Sequence, residues 1–139
     1  MESKQFAREM SYAPIPPRTE EVTKMILDAA FKVHSALGPG LLESVYETCL
    51  LHELKSNNFR IENQLSLPVV YEDITVDSGL RLDLMVENCV IVEIKAVENI
   101  IPLYHAQILT YLKLTKKRIG LLINFNTIHL RDGIRRIIN

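Results

Sequence analysis

The sequence has no apolar run approaching the ~20 residues a membrane-spanning helix requires, so no membrane segment is expected. Its first ten residues, MESKQFAREM, hold no apolar signal core and carry no mark for secretion. Cysteine is scarce. Cys49 and Cys89 sit inside apolar patterns and read as buried thiols of a reducing, cytoplasmic setting, not as a disulfide framework. There is no CxxC pair and no His/Cys cluster to suggest structural zinc. A Gly-rich phosphate loop is missing, and no serine or cysteine has a partner histidine at a recognisable spacing. Internal repeats and low-complexity tracts are absent too.

What remains suits one compact domain with a real core: 139 residues, 47% of them hydrophobic. The net charge of −1 conceals an asymmetry. Between residues 113 and 136 lie Lys113, Lys116, Lys117, Arg118, Arg131, Arg135 and Arg136 against Asp132 alone. The preceding 112 residues are acidic on balance. Such a distribution is compatible with an anionic polymer docking on one side, and equally with a solvated helix end and tail.

Residues 1–18, with Pro14, Pro16 and Pro17, are expected to form a partly disordered arm ahead of a domain spanning 19–139. Thr19 is a candidate N-cap, followed by Glu20 and Glu21 in a first turn. Val22, Met25, Ile26, Ala29, Ala30, Val33 and Leu37 recur at helical spacing until Gly38-Pro39-Gly40. A second helix is predicted over 41–56 with Leu42, Val45, Cys49 and Leu50 inward. Residues 61–71 read as one extended strand, with Pro68 marking an edge or a bulge. Short strands are predicted at 74–77, 80–86 and 90–96. A helix over 102–115 opens on Pro102, a buried strand covers 119–125, and a last strand falls at 128–130 or 134–138. The result is a mixed α/β order, αβββαβ with an extra N-terminal helix: a three-strand antiparallel meander and a helical crossover to a further strand.

The hairpin 80–96 carries the chemistry. Facing residues in a hairpin have a constant number sum. A sum of 176 sets Leu82, Leu84 and Val86 opposite Ile94, Val92 and Val90, an all-apolar face. Arg81, Asp83 and Met85 then face Lys95, Glu93 and Ile91. Neighbouring sums would mix the two sets. Asp83 and Glu93 are thus predicted to oppose each other, with Cβ atoms ~4.5–5.5 Å apart and Lys95 on the same face. Two such close carboxylates repel unless a cation intervenes. Lys95 and Arg81 are available, giving a charge ladder. So is Mg²⁺, which takes one or two carboxylates with waters and phosphate oxygens, and the Ile94 carbonyl is available to it. The two N-terminal helices are expected to cover this charged face.

Glu43 borders the apolar stripe of the second helix, where it either reaches the site or complements the helix dipole. Gln107 and Tyr111 stand i and i+4 on the third helix, on a face shared with Leu103 and Leu114. There they either orient a water, phosphate or metal ligand, or pair at the surface. His34 and His105 read as structural, and Tyr46 and Tyr104 as packing residues.

Taken together, the chain resembles the small GxxExxY proteins, a branch of the PD-(D/E)xK nuclease superfamily. Gly40-Leu41-Leu42-Glu43-Ser44-Val45-Tyr46 reproduces the naming motif, and the likeness runs from Glu20 to Asn139, including Leu121-Leu122-Ile123-Asn124-Phe125-Asn126. Asp83 with Glu93-Ile94-Lys95 is similar to the Asp…Glu-x-Lys signature. Gln107-Ile108-Leu109-Thr110-Tyr111 is similar to the QxxxY motif of RecB-like members. Leu82 stands where the signature's name has proline, a widely variable position. The resemblance implies Mg²⁺- or Mn²⁺-dependent phosphodiester hydrolysis, with DNA the expected substrate. It implies Asp83 and Glu93 as metal ligands, with Glu43 and the Ile94 carbonyl as further ones. Lys95 would orient the attacking water or stabilise charge on the phosphate. Gln107 and Tyr111 would position substrate or ligands, and Lys113, Lys116, Lys117 and Arg118 would hold the backbone. Two other readings stand beside it: a non-catalytic nucleic-acid-binding module, and an assembly subunit, as a homodimer or with a protein partner. Apolar surface left uncovered on the N-terminal helices would favour the latter.

Overall fold

The computed structural model describes residues 13–139. Two helices come first, α1 (Pro17–Leu37) and α2 (Glu43–Ser56). Strands β1 (Ile61–Ser66), β2 (Val69–Tyr71), β3 (Ile74–Val76), β4 (Arg81–Val86) and β5 (Val90–Lys95) follow. Helix α3 (Pro102–Thr115), strand β6 (Ile119–Asn124), a single 3-10 turn (Leu130–Gly133) and strand β7 (Ile134–Ile138) complete the chain. The main sheet has the order β1-β4-β5-β6-β7. Only β5 and β6 run parallel, as a helical crossover requires, and the other neighbours are antiparallel. Strands β2 and β3 form a separate hairpin between β1 and β4.

The expected mixed α/β order is the observed one, with two local corrections and one alternative resolved. Helix α1 starts at Pro17, not after a Thr19 cap. Proline fits the first helical position because the amide it lacks has no partner there. Thr19 is instead buried inside the first turn, where its carbonyl accepts the Thr23 hydroxyl at 2.7 Å. The expected arm otherwise falls on residues 1–12, outside the described residues. The extended segment 61–71 is split, since β1 ends before Leu67-Pro68; β1 is an edge of the sheet. The last strand is the one at 134–138, with 130–133 taken by the 3-10 turn.

Two cores sandwich the sheet. On one face α1 and α2 place Val22, Ile26, Ala30, Tyr46, Leu50 and Leu54 against Leu84, Val86, Val90, Val92, Ile94 and Leu121. On the other, α3 places Ile108, Tyr111 and Leu112 against Met85, Ile91, Leu122 and Ile137. Covered on both sides, β6 is buried from end to end. The α3 packing is close: a Cβ on Gly120 would stand 2.5 Å from Ile108 Cγ2. Two sequence expectations change here. The N-terminal helices cover the apolar face of the 80–96 hairpin, and α3 covers the face bearing Met85, Ile91 and Glu93. The inward stripe of α2 is Tyr46, Leu50 and Leu54, while Leu42 is 74% exposed and Val45 is also exposed. Both stripes are apolar, and the stacking of Tyr46 on Phe125 (ring centroids 4.7 Å apart) accompanies the choice.

Candidate active site

The predicted register holds over half of the hairpin. Leu84, Met85 and Val86 pair with Val92, Ile91 and Val90, all at the sum of 176. At Asp83 the ladder stops and side chains take over. The Asp83 N–H donates to Glu93 Oε1 at 3.1 Å, and the Ile94 N–H donates to Asp83 Oδ2 at 2.8 Å. Strand alternation breaks at the same point. Leu84 and Val86 lie in the α1/α2 core, but Leu82 lies in the α3 core. The all-apolar face predicted to include Leu82 is therefore shorter by one residue, because the carboxylates replace the backbone pairing that would hold it there.

Glu93 is only 6% exposed. Burial, then the neighbouring Asp83 charge, pushes its carboxyl up to about 8. Lys95 is half-buried, and its ammonium stands 4.6 Å from the centroid of the Tyr104 ring instead of pairing with an acid. Among the described residues neither Lys95 nor Arg81 has a nitrogen within 4.0 Å of the Asp83 or Glu93 oxygens. The charge ladder that would neutralise the pair is not formed.

Glu43 begins α2 and is placed by the motif that contains it. Gly40 adopts φ +96, a left-handed conformation that costs glycine little. The Tyr46 hydroxyl donates to the Gly38 carbonyl at 2.7 Å and accepts the Leu41 N–H at 3.1 Å. The loop is thus tied to a buried ring, and Glu43 follows at a fixed position. Although the residue is exposed, partial burial of its carboxyl raises its pKa. The Asp83 charge adds to this and Lys95 offsets it, so Glu43 lies within electrostatic reach of both.

The α3 residues divide. Tyr111 is buried behind the carboxylates, and burial together with the Glu93 and Asp83 charges raises its hydroxyl pKa. Gln107 is half-buried one turn before it. Leu103, expected on their face, is 68% exposed, and the inward stripe runs through Ile108, Tyr111 and Leu112. Lys113, Lys116, Lys117 and Arg118 are not brought to the carboxylates. They lie near the start of β6, which pairs with Val90, whereas Glu93 and Lys95 pair with Leu122 and Asn124 near its end. Arg118 is engaged elsewhere, donating to the carbonyls of Asn139 at 2.8 Å and Ala13 at 2.9 Å. His34 is structural, its ring Nε2–H donating to the Thr127 carbonyl at 2.8 Å, and His105 is exposed.

Three contributors escape the motif pattern. Gln64 on β1 donates through Nε2 to Glu47 at 2.8 Å and to Asp83 Oδ1 at 3.4 Å. Tyr104 lies under Lys95. Asn124, 1% exposed, accepts the N–H groups of Val97 and Asn126 and donates to the Val97 carbonyl at 2.9 Å. It fastens the chain leaving Lys95 to the end of β6. Asn124 had a legible signal, a polar side chain closing an otherwise apolar strand. Gln64 had none, since it lies in an ordinary-looking edge segment.

The donors suit a hard divalent cation: carboxylate oxygens with unbalanced charge, Asp83 and Glu93 each having one oxygen not taken by the crosswise backbone bonds. The expected convergence of Glu43, Asp83 and Glu93 into one coordination sphere is not found. No group of three His, Cys, Asp or Glu side chains among the described residues is arranged to hold a metal ion. The Ile94 residue, expected to offer its carbonyl, contributes its N–H to Asp83. Two carboxylates completed by water and phosphate oxygens fit this arrangement; a three-carboxylate cage does not.

No helix among the described residues is long and apolar enough to cross a membrane. Searches of curated proteins and of solved structures return no match. The sequence profile of the PD-(D/E)XK nuclease superfamily matches residues 20–137, from α1 through β7 and across every carboxylate described above. By that match the chain belongs to the PD-(D/E)XK nuclease superfamily.

Proposed function

We propose that this chain is a metal-dependent nuclease of the GxxExxY branch, hydrolysing phosphodiester bonds of DNA through a single restriction-endonuclease-like domain over 19–139. The observation that carries this reading is the crossed pair Asp83–Glu93. It is half-withdrawn from water, fixed by backbone N–H groups, and without an ion-paired lysine or arginine among the described residues. With no such partner the pair holds either a proton or a cation, and a divalent cation is the occupant that leaves both carboxylates ionised.

Asp83 and Glu93 would hold Mg²⁺ or Mn²⁺, with Glu43 acting through water. Once bound, the metal supplies polarisation of the scissile phosphate and a more acidic water. Lys95, held over Tyr104, places a positive charge where negative charge develops on the phosphate. Tyr111 closes the wall behind Glu93. Gln107, half-buried on the same helix, orients substrate or a water. The exposed Lys113 and Lys116, with the half-buried Lys117 and the N–H groups of Arg118 not given to Asn139 and Ala13, contact the nucleic-acid backbone away from the scissile bond. The free thiols Cys49 and Cys89 accord with a reducing cytoplasmic setting.

The test is cleavage of single- and double-stranded DNA and RNA with Mg²⁺ or Mn²⁺, using Asp83→Ala and Lys95→Ala as controls. Metal-dependent cleavage of DNA lost in both variants supports the reading. Cleavage that survives both removes the assigned site. Binding without cleavage, indifferent to metal, supports a catalytically silent module.

One observation favours that second reading in its assembly form. The outer surface of α1 and α2 and of the loop joining them leaves Phe31, Leu37, Leu41, Leu42 and Val45 exposed. Of these, Leu37 lines a groove of about 390 Å³ together with Val33, Ala36, Cys49 and His52. Apolar surface of this kind is commonly an interaction face, for a homodimer or a protein partner. Sedimentation of the purified chain across concentrations distinguishes the two.

A further inference from the structure

The edge strand β1 is broken opposite Asp83. Its pairing with β4 keeps one register on both sides: Asn63 with Leu84, and Leu65 with Leu82. The rung between them, Gln64 with Asp83, is not paired. No residue is inserted or deleted there. Instead Gln64 takes φ +51, a left-handed conformation uncommon outside glycine and asparagine. The side chains of β1 change faces across this residue: Ile61 packs on the α1/α2 core and Leu65 on the α3 core. Strand β4 makes the same change between Leu84 and Leu82. Two neighbouring strands are therefore irregular at one rung, and that rung carries the candidate metal-binding aspartate.

The Gln64 side chain occupies the gap. Its Nε2 stands 2.8 Å from Glu47 Oε1 and 3.4 Å from Asp83 Oδ1. Both acceptors are carboxylates, so the amide nitrogen, with two N–H groups, must face them. Glu47 and Glu43 are i+4 and i on α2, one above the other on one face. The amide thus ties the strand aspartate to the helix that bears Glu43. It does so without charge. A lysine there would compete with a cation for the carboxylates; a glutamine restrains them and leaves their charge intact.

We infer that Gln64 is a positioning residue: it holds Asp83 Oδ1 in the orientation needed to take a divalent cation, and Glu47 is its anchor. The inference rests on the metal reading of Asp83 and goes beyond the motif residues. Removing a hydrogen-bond partner that orients a metal ligand typically weakens metal binding by roughly 10–100-fold. Gln64→Ala removes the amide but keeps a Cβ in the left-handed conformation. Gln64→Gly removes the amide and accepts that conformation freely, so it separates the side chain's role from the backbone's.

The readout is Mn²⁺ binding to the full chain, followed by the electron paramagnetic resonance of free Mn²⁺, with urea unfolding as the folding control. The expected result is affinity about 10-fold or more weaker in Gln64→Gly and Gln64→Ala, with Gln64→Gly at least as stable as wild type. Glu47→Ala is expected to weaken binding in the same direction, and to add little when combined with Gln64→Gly. Wild-type affinity in a folded Gln64→Gly variant overturns the inference while leaving the metal reading in place. Failure of the wild-type chain to bind Mn²⁺ overturns both.

Discussion

Asp83 and Glu93 are fastened crosswise. The Asp83 N–H donates to the Glu93 carboxylate at 3.1 Å, while the Asp83 carboxylate takes the N–H of Ile94, the residue after Glu93, at 2.8 Å. Each acid thus satisfies a backbone donor that the interrupted ladder leaves without a strand partner, so the break does not orphan those N–H groups. The same bonds hold two negative charges together next to an apolar core. Order is gained at an electrostatic cost that either a proton or a cation relieves.

That cost makes stability depend on pH. Glu93 titrates at about 8 in the fold against an ordinary 4.5. Between these values the folded chain binds more protons than the unfolded one. Stability is therefore present at low pH and falls as pH rises through this window. The full effect is on the order of a few kcal/mol. In the presence of EDTA, the wild-type urea midpoint is expected to drop between pH 5 and pH 8.5. Glu93→Gln should flatten this dependence and be the more stable protein at the upper end. Mn²⁺ should restore the wild-type midpoint there by binding only the folded site. A wild-type midpoint that does not move over this range contradicts the arrangement.

How much of this is legible in the sequence follows from what each signal encodes. Hydrophobic alternation determines the register of 84–86 against 90–92, because any slip would put polar groups in the core. It does not foresee the break at Asp83, since side chain-to-backbone bonds leave no periodic trace. The assignment of helix layers to sheet faces escapes it for a related reason. Both faces of β5 are apolar apart from Glu93 and the terminal Lys95, so the strand pattern does not say which helices cover which side. On α2, Leu42, Val45 and Cys49 compete with Tyr46, Leu50 and Leu54 as equally apolar stripes, and tertiary packing decides. The motif residues Glu43, Asp83, Glu93 and Lys95 are legible as a set. Gln64 and Glu47, which surround them, have no motif to announce them.

Asn124 should be costly to remove. Its side chain satisfies both the N–H and the carbonyl of Val97 and also the Asn126 N–H, in a position 1% exposed. Asn124→Ala would leave the part-buried N–H groups of Val97 and Asn126 unpaired, at about 1–3 kcal/mol each, while the Val97 carbonyl keeps the Asn126 side-chain amide at 3.4 Å. A total loss of about 2–4 kcal/mol is expected from urea unfolding. Faster amide exchange should be concentrated in residues 95–99. A loss below 0.5 kcal/mol (about the scatter of neutral surface substitutions) would show that Asn124 does not hold this segment.

Lys95 depends on Tyr104 for its direction. The ring face 4.6 Å from the ammonium is an attraction worth about 0.5–1 kcal/mol at a partly exposed site. Tyr104→Leu keeps the apolar volume and loses the ring, so nuclease activity should fall only a few-fold. Lys95→Ala should reduce it by about 10²–10³, the size of losing one stabilising donor at a developing charge. Equal losses in both variants would mean that Lys95 acts only when the ring holds it, and not as a charge that tolerates the ring's removal. Phenylalanine at 104 should behave as wild type, because the hydroxyl takes no part in the attraction.

The basic end of α3 makes a prediction of a different kind, because it is separated from the carboxylates. The parallel pairing of β5 with β6 puts residues 113–118 near the Val90 end of β5, while Glu93 and Lys95 lie three and five residues further on. At ~3.3 Å per residue that is roughly 10–17 Å along the sheet. Replacing Lys113, Lys116 and Lys117 together by alanine should therefore leave Mn²⁺ affinity unchanged. If all three lysines neutralise phosphates, binding to duplex DNA should weaken. The slope of log affinity against log salt should become shallower by about 2–3, near 0.9 for each phosphate no longer neutralised. Because these lysines would grip the duplex several base steps from the scissile bond, at ~3.4 Å per base pair a duplex of about 4 base pairs closed by a hairpin loop should not sense the substitution, whereas one of about 12 should. Unchanged salt dependence on the longer duplex would remove these lysines from the substrate path, leaving only the carboxylate end of the sheet to meet the nucleic acid.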